Sequence, residues 1–185
     1  MTQDAFSDLE SVFENAKPRS ANFVPAGTHL LKIASLNMTT PGYKGTFGIA
    51  AFRVVDSQNL QFGEIVHINK YVGKDTNGVV NKAKQEIGLG VFKSLIAAAV
   101  GEAMHNVTIE HLRAAMSDAQ PLTDSLVVCL ATAGKSKTTN MEYVAYSFVG
   151  PTKAQIQLAD SRGADLAKLP RHVPVIGQGV EEPPF

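Results

Sequence analysis

Residues 64–72 (EIVHINKYV) and 81–100 (NKAKQEIGLGVFKSLIAAAV) are the most informative about the architecture, because the spacing of apolar residues changes between them. In the first stretch Val66, Ile68 and Val72 alternate with other side chains, a period of two that predicts a strand. In the second stretch the apolar residues recur at helical spacing, at Ile87, Val91, Leu95 and Ala99. A strand, an Asn-Gly turn and a helix are therefore expected in this order.

Strands are predicted on both sides of this helix. Residues 27–38 and 47–56 precede it as strands one and two, and residues 126–131 and 141–149 follow it as strands four and five, joined by a loop. Thr108 can cap a short second helix before strand four. The order predicts a mainly β fold with helices, namely a five-stranded OB-fold barrel whose helix lies between strands three and four.

The expected ligand surface combines cations with rings. In an OB-fold the ligand crosses strands two and three and the loops that join strands one to two and four to five. At those positions the candidate DNA-binding residues are Tyr43, Lys44, Phe47, Arg53, His67, Asn69, Lys70, Tyr71, Lys74, Lys135 and Lys137. Cations can follow the phosphates of a single strand while rings stack on its bases, so the pattern predicts single-stranded nucleic-acid binding.

The alternation also separates core from surface. Phe52, Tyr146 and Phe148 fall on the apolar faces of their strands and are predicted to be core residues, whereas Arg53 falls on the outer face. Phe47 fits either the ligand surface or the mouth of the barrel.

The composition is that of a globular protein, with 44% hydrophobic residues and no net charge over 185 residues. Residues 22–150 form the predicted DNA-binding domain, between a polar N-terminal extension (1–21) and a C-terminal extension with a flexible tail (151–185). The N-terminal extension is acidic, whereas the domain carries eleven Lys and Arg against nine Asp and Glu. A single cysteine, and neither a secretory signal nor a membrane-spanning run, predict a cytoplasmic protein.

Two parts of the chain resemble known proteins. The order of elements, the segment VPAGT at residues 24–28 and the helix at 81–100 resemble phage single-stranded-DNA-binding proteins. This resemblance implies an OB-fold that coats single strands during phage replication and recombination, in the host cytoplasm. The end of the chain, Glu181, Glu182, Pro183, Pro184 and Phe185, is similar to the acidic Pro-Phe tip of bacterial single-stranded-DNA-binding proteins. That similarity implies recruitment of replication or recombination enzymes, although this tip has fewer acidic residues than the bacterial one.

Other chemistries find less support in the sequence. Gly134-Lys135-Ser136 mimics the end of a P-loop, but Cys129 stands where the first glycine of that motif belongs. One cysteine and scattered histidines do not make a zinc site. We therefore expect no catalytic activity, no metal and no cofactor. The alternative function is a non-catalytic OB-like module for protein interaction or phage assembly.

Overall fold

A computed structural model describes residues 23–39, 45–74, 78–136 and 140–168. Among these residues it has five strands, three α-helices and one short 3-10 turn at Met104–Asn106. The elements in chain order are β1 (Gly27–Thr39), β2 (Phe47–Ser57), β3 (Ile65–Tyr71), α1 (Lys82–Val100), α2 (Ile109–Ala115), β4 (Leu126–Lys135), β5 (Glu142–Val149) and α3 (Lys153–Lys168).

The strands form one antiparallel sheet in the order β3-β2-β1-β4-β5. The predicted five strands, with a helix between the third and the fourth, are confirmed. The predicted closed barrel is not: β3 and β5 are the two edges, and no ladder joins them in the described part of the chain.

The segment that leads into β1 contacts both of these edge strands. Phe23 forms a parallel bridge with His67 on the free edge of β3. The next residue, Val24, is fully buried, and its carbonyl oxygen accepts a hydrogen bond of 2.9 Å from the Tyr146 hydroxyl of β5. A stretch of chain therefore lies between the two edges where a closing ladder would form.

The main core fills one face of the sheet and is covered by α1. Phe52 and Phe148, predicted as core, are buried and stack with their ring centroids 5.6 Å apart. Tyr146 is half-buried and packs against the same cluster. Close approach of α1 depends on Gly48 in β2, because a Cβ at that residue would lie 2.3 Å from the Phe92 ring.

Helix α3, for which the sequence predicted no element, covers part of the opposite face. Leu166 joins Leu30, Val55 and Val128 in a second apolar cluster on the outer side of the sheet. Arg162 holds the helix in place by donating to the Val55 carbonyl and to Asp56 Oδ1, the latter at 2.9 Å.

The hairpin of β4 and β5 is longer than the sequence predicted. The predicted loop at 132–140 begins too early, because Thr132–Lys135 continue β4 and pair with residues 142–145. In this extension the backbone N–H and C=O groups of Thr132–Lys135 are satisfied by cross-strand pairing, as in the rest of the hairpin. No helix among the described residues is long and apolar enough to cross a membrane.

Candidate functional site

A groove of about 780 Å³ lies between the end of β3 and the loop end of the β4–β5 hairpin. We call it the seam groove, because it runs along the gap between the two edge strands. It is lined by Phe23, Asn69, Lys70, Ala133, Gly134, Lys135, Glu142, Tyr143, Val144 and Tyr146.

Phe23 enters the groove from a well-fixed backbone. Besides the bridge to His67 and the anchored Val24 carbonyl, the buried His29 ring holds this segment, with Nε2 2.9 Å from the Pro25 carbonyl oxygen. Because a carbonyl can only accept, Nε2 carries the proton, and Nδ1 accepts from the Ser57 hydroxyl at 2.8 Å. The backbone is thus held while 51% of Phe23 remains exposed.

Tyr143 forms the opposite aromatic wall. It pairs across the hairpin with Gly134, and a Cβ on Gly134 would lie 2.6 Å from Tyr143 Cζ. The absence of a side chain at Gly134 therefore lets the ring lie across β4, an arrangement known from other sheets in which an aromatic residue covers a glycine. The rest of the residue faces solvent, with 54% exposed.

Lys70 spans the seam from β3 to β5. Its Nζ lies 3.5 Å from the Val144 carbonyl oxygen and 4.7 Å from the centroid of the Tyr146 ring. Partial burial lowers the pKa of the Lys70 ammonium and raises that of the Tyr146 phenol, the latter with a further contribution from Cys129. The cation is therefore held at the floor of the groove by a carbonyl and a ring face.

Two more polar side chains complete the groove. Asn69 is exposed at the end of β3, and Lys135 is exposed at the end of β4. Lys135 stands opposite Glu142 in the hairpin register, but these two residues form no ion pair within 4 Å. The groove thus combines two lysines, one carboxylate, an amide and three rings.

Of the predicted DNA-binding residues, the structure brings Asn69, Lys70 and Lys135 together in the seam groove. His67 is beside it, paired to Phe23, and its Nε2 is buried without a hydrogen-bond partner among the described residues. Burial lowers the His67 pKa. Tyr43, Lys44, Lys137 and the tail residues Glu181, Glu182, Pro183, Pro184 and Phe185 lie outside the described residues.

The rings of Phe47 and Tyr71 contact each other, and Tyr71 also bonds to residues at the start of helix α1. Their rings meet edge to face with centroids 5.8 Å apart. The Tyr71 hydroxyl accepts from the Asn81 amide at 3.1 Å and lies 3.4 Å from the Val79 carbonyl oxygen. Tyr71 therefore helps to fix the start of α1, and neither ring lines the seam groove. Lys74 is exposed just beyond β3, where its carbonyl accepts from the Thr46 hydroxyl.

Arg53 belongs to a different part of the sheet. It pairs with Ile65 at the start of β3, five residues and about 16 Å along the strand from the Lys70 pair, at roughly 3.3 Å per residue. Its Nη1 donates to the Gly63 carbonyl at 3.0 Å. It also lines a small cavity of about 240 Å³ beside α3, together with Lys32 and Asp124. Arg53 therefore lies beside α3 and apart from the groove residues, although the sequence predicted one continuous ligand surface.

Sequence reasoning missed Phe23 and Tyr143 and placed Tyr146 in the core alone. Tyr143 could have been found, because the alternation in β5 puts it on the face opposite Tyr146 and Phe148. Phe23 gave no such signal, since it precedes the first strand and reaches the groove only through a bridge to β3.

The described residues hold no cluster of three or more His, Cys, Asp or Glu that could bind a metal ion. Cys129 is fully buried in β4, and burial raises its pKa to about 12, so the thiol is protonated at neutral pH. No family model matches the chain, and no curated protein is similar to it in sequence.

Proposed function

We propose that this protein binds single-stranded DNA in the seam groove, without strong sequence preference and without catalysing a reaction on it. The observation that carries the proposal is the placement of exposed Phe23 and Tyr143 on two sides of a groove that also holds Lys70 and Lys135. Rings on a fixed backbone can stack on bases, and lysines beside them can neutralise phosphates.

The topology supports an OB-type interface. The sheet order β3-β2-β1-β4-β5 is that of an OB barrel lacking the ladder between β3 and β5, and α1 lies between strands three and four. In OB-folds the ligand crosses strands two and three and the loop between strands four and five. The seam groove adjoins β3 and the hairpin that this loop closes, so the proposed DNA path follows the usual OB surface at one end.

The same chemistry favours single strands over duplex and tolerates any sequence. Stacking requires bases that are not paired inside a helix, and every base offers a π face. Among the lining residues Asn69 supplies the amide that could hydrogen-bond to a base edge. One amide makes too few such hydrogen bonds to discriminate between sequences.

The proposal extends to a role in phage replication and recombination, in which residues 181–185 recruit partner enzymes. Phe185 would enter an apolar pocket of the partner, and Glu181 and Glu182 would add long-range electrostatic attraction. The phage role is carried by the resemblance of the element order, residues 24–28 and the helix at 81–100, and the recruitment by the resemblance of the tail.

A binding titration tests the proposal. Fluorescent oligo-dT and a duplex of the same length are titrated with protein at several salt concentrations. We expect preference for the single strand and a log–log salt slope of about −3 to −4 if five lysines each contribute roughly −0.7. Those five are Lys44, Lys70, Lys74, Lys135 and Lys137.

Two results would count against single-stranded DNA binding. Equal affinity for duplex would exclude stacking in the groove as the main interaction. No measurable binding at low salt would favour the alternative, a protein-interaction or assembly module whose partner occupies the same groove.

A further inference from the structure

Residues 1–22 join the described part of the chain at Phe23, inside the seam groove. Phe23 is itself a lining residue, and its backbone is fixed between β3 and β5. Whatever direction residues 1–22 take, their attachment point is on the wall of the groove that Lys70 and Tyr143 also line. We call residues 1–22 the leading segment.

The leading segment has the chemistry that the groove fits. It carries four carboxylates, Asp4, Asp8, Glu10 and Glu14, against Lys17 and Arg19. The rings of Phe6 and Phe13 stand among these carboxylates. Negative groups interspersed with flat rings are also what a single strand of DNA offers to lysines and aromatic side chains.

We propose that the leading segment occupies the seam groove in the free protein and competes there with single-stranded DNA. The inference rests on the proposed function, because it identifies the competitor for that same site. Carboxylates of the segment meet Lys70 and Lys135, and Phe6 or Phe13 lies against the exposed Tyr143 ring. DNA displaces the segment by offering more negative charges along a longer path.

Because the leading segment is attached at the groove, a weak interaction is sufficient for it to occupy the groove. A tethered group has an effective concentration on the order of 1 mM near its anchor, so a segment that binds with a millimolar dissociation constant already fills the site half of the time. The apparent affinity for DNA falls in proportion to the fraction of free groove, so occupancy of about nine-tenths weakens binding about tenfold. Competition of this size is measurable by titration.

The first experiment uses two full-length variants with the same net charge. One neutralises the leading segment, with Asp4→Asn, Asp8→Asn, Glu10→Gln and Glu14→Gln. The control neutralises four exposed carboxylates that do not line the groove, with Glu102→Gln, Glu110→Gln, Asp118→Asn and Asp160→Asn. Oligo-dT affinity is measured for both variants and for the native chain at one salt concentration.

We expect the leading-segment variant to bind oligo-dT up to about tenfold more tightly, and the control to gain much less. Equal gains in both variants would mean that only overall charge matters and would overturn the competition. Equal affinity of the leading-segment variant and the native chain would overturn it as well. Absence of DNA binding in all three proteins would instead overturn the proposed function and the competition with it.

The second experiment detects the contact without DNA. Cys129 is buried and its thiol is protonated at neutral pH, so a nitroxide reagent labels Ser7→Cys selectively in the full chain. In NMR spectra the label should broaden the amide signals of Asn69, Lys135 and Tyr143. The same label in the charge-neutralised variant controls for the tether, and there the broadening should fall. Equal broadening in both proteins, or none in the native sequence, would show that the groove is not the docking site.

Discussion

Tyr143 has one side of its ring on Gly134 and more than half of its surface in solvent. Truncation to alanine should therefore leave the fold intact and remove a stacking surface. We expect Tyr143→Ala to cost about 1–3 kcal/mol of binding free energy for oligo-dT, with little change in the salt slope. Tyr143→Phe, which keeps the ring, should bind as the native protein does. Titration of both variants with oligo-dT measures these affinities. A native affinity in Tyr143→Ala would mean that the Tyr143 ring does not contact the DNA.

Lys135 should respond differently from its aromatic neighbour. Its contribution is a charge at the end of β4, so Lys135→Ala should weaken binding modestly and flatten the log–log salt slope by about 0.7. Lys153→Ala is the matched control, because this exposed lysine begins α3 and does not line the groove. An unchanged salt slope in Lys135→Ala would mean that Lys135 does not contact a phosphate of the DNA.

Phe52 tests the assignment of the buried face. It is fully buried in β2 and stacks on Phe148, so the alanine variant leaves a cavity in the main core. We expect Phe52→Ala to lower the free energy of unfolding by about 3–5 kcal/mol, as measured by urea denaturation. A small loss, together with weakened DNA binding, would mean that the faces of β2 are assigned the wrong way round.

Within helix α1, alanine substitutions at two glycines are expected to have opposite effects on stability. A Cβ at Gly88 would lie 2.0 Å from the Tyr71 carbonyl oxygen, whereas one at Gly90 would meet nothing within 4 Å. Gly90→Ala should therefore stabilise the protein by about 0.5–1 kcal/mol through helix propensity. Gly88→Ala should destabilise it, because α1 must move away from the end of β3. Thermal unfolding of the two variants compares them directly, and a stabilising Gly88→Ala would contradict the close contact.

The elements differ in how far the sequence predicted them. Strands β1 to β3 and helix α1 lie close to their predicted bounds, because long runs of period two or a clear helical spacing specify them. Helix α3 was missed, since only three of its apolar residues, Ile156, Leu158 and Leu166, are larger than alanine. Thr152 and Gln155 nevertheless form a capping box, with the Thr152 amide donating to Gln155 Oε1 at 2.8 Å, and that spacing is visible in the sequence.

Across the fold, the candidate site depends on contacts that no local pattern encodes. Asn69, Lys70 and Lys135 were predicted because the OB order places β3 and the β4–β5 hairpin on one surface. Arg53 satisfied the same rule, yet it pairs at the other end of β3 from the groove, and α3 packs beside it. Phe23 joins the site only because the chain before β1 passes between two sheet edges. Such placements follow from tertiary packing and not from periodicity.

We expect the same seam to make the stability of the fold sensitive to pH. His67 lies on the free edge of β3 with Nε2 buried and no hydrogen-bond partner among the described residues, and desolvation lowers its pKa. In the unfolded chain its pKa returns to about 6.5, so on acidification the unfolded state takes up the proton first. Stability from this group is therefore complete above the unfolded pKa and is lost as the pH falls towards the lower folded value.

We expect the urea midpoint of the native protein to fall between about pH 7.5 and about pH 5.5, in part because of this proton uptake. His67→Leu should reduce that fall, since the variant cannot bind the proton in either state. The other titratable groups are the same in both proteins. The difference between their changes in urea midpoint with pH therefore isolates the contribution of His67. An identical fall in both would mean that the His67 imidazole is solvated in the folded state, and that the seam between β3 and β5 is more open than the Phe23 bridge indicates.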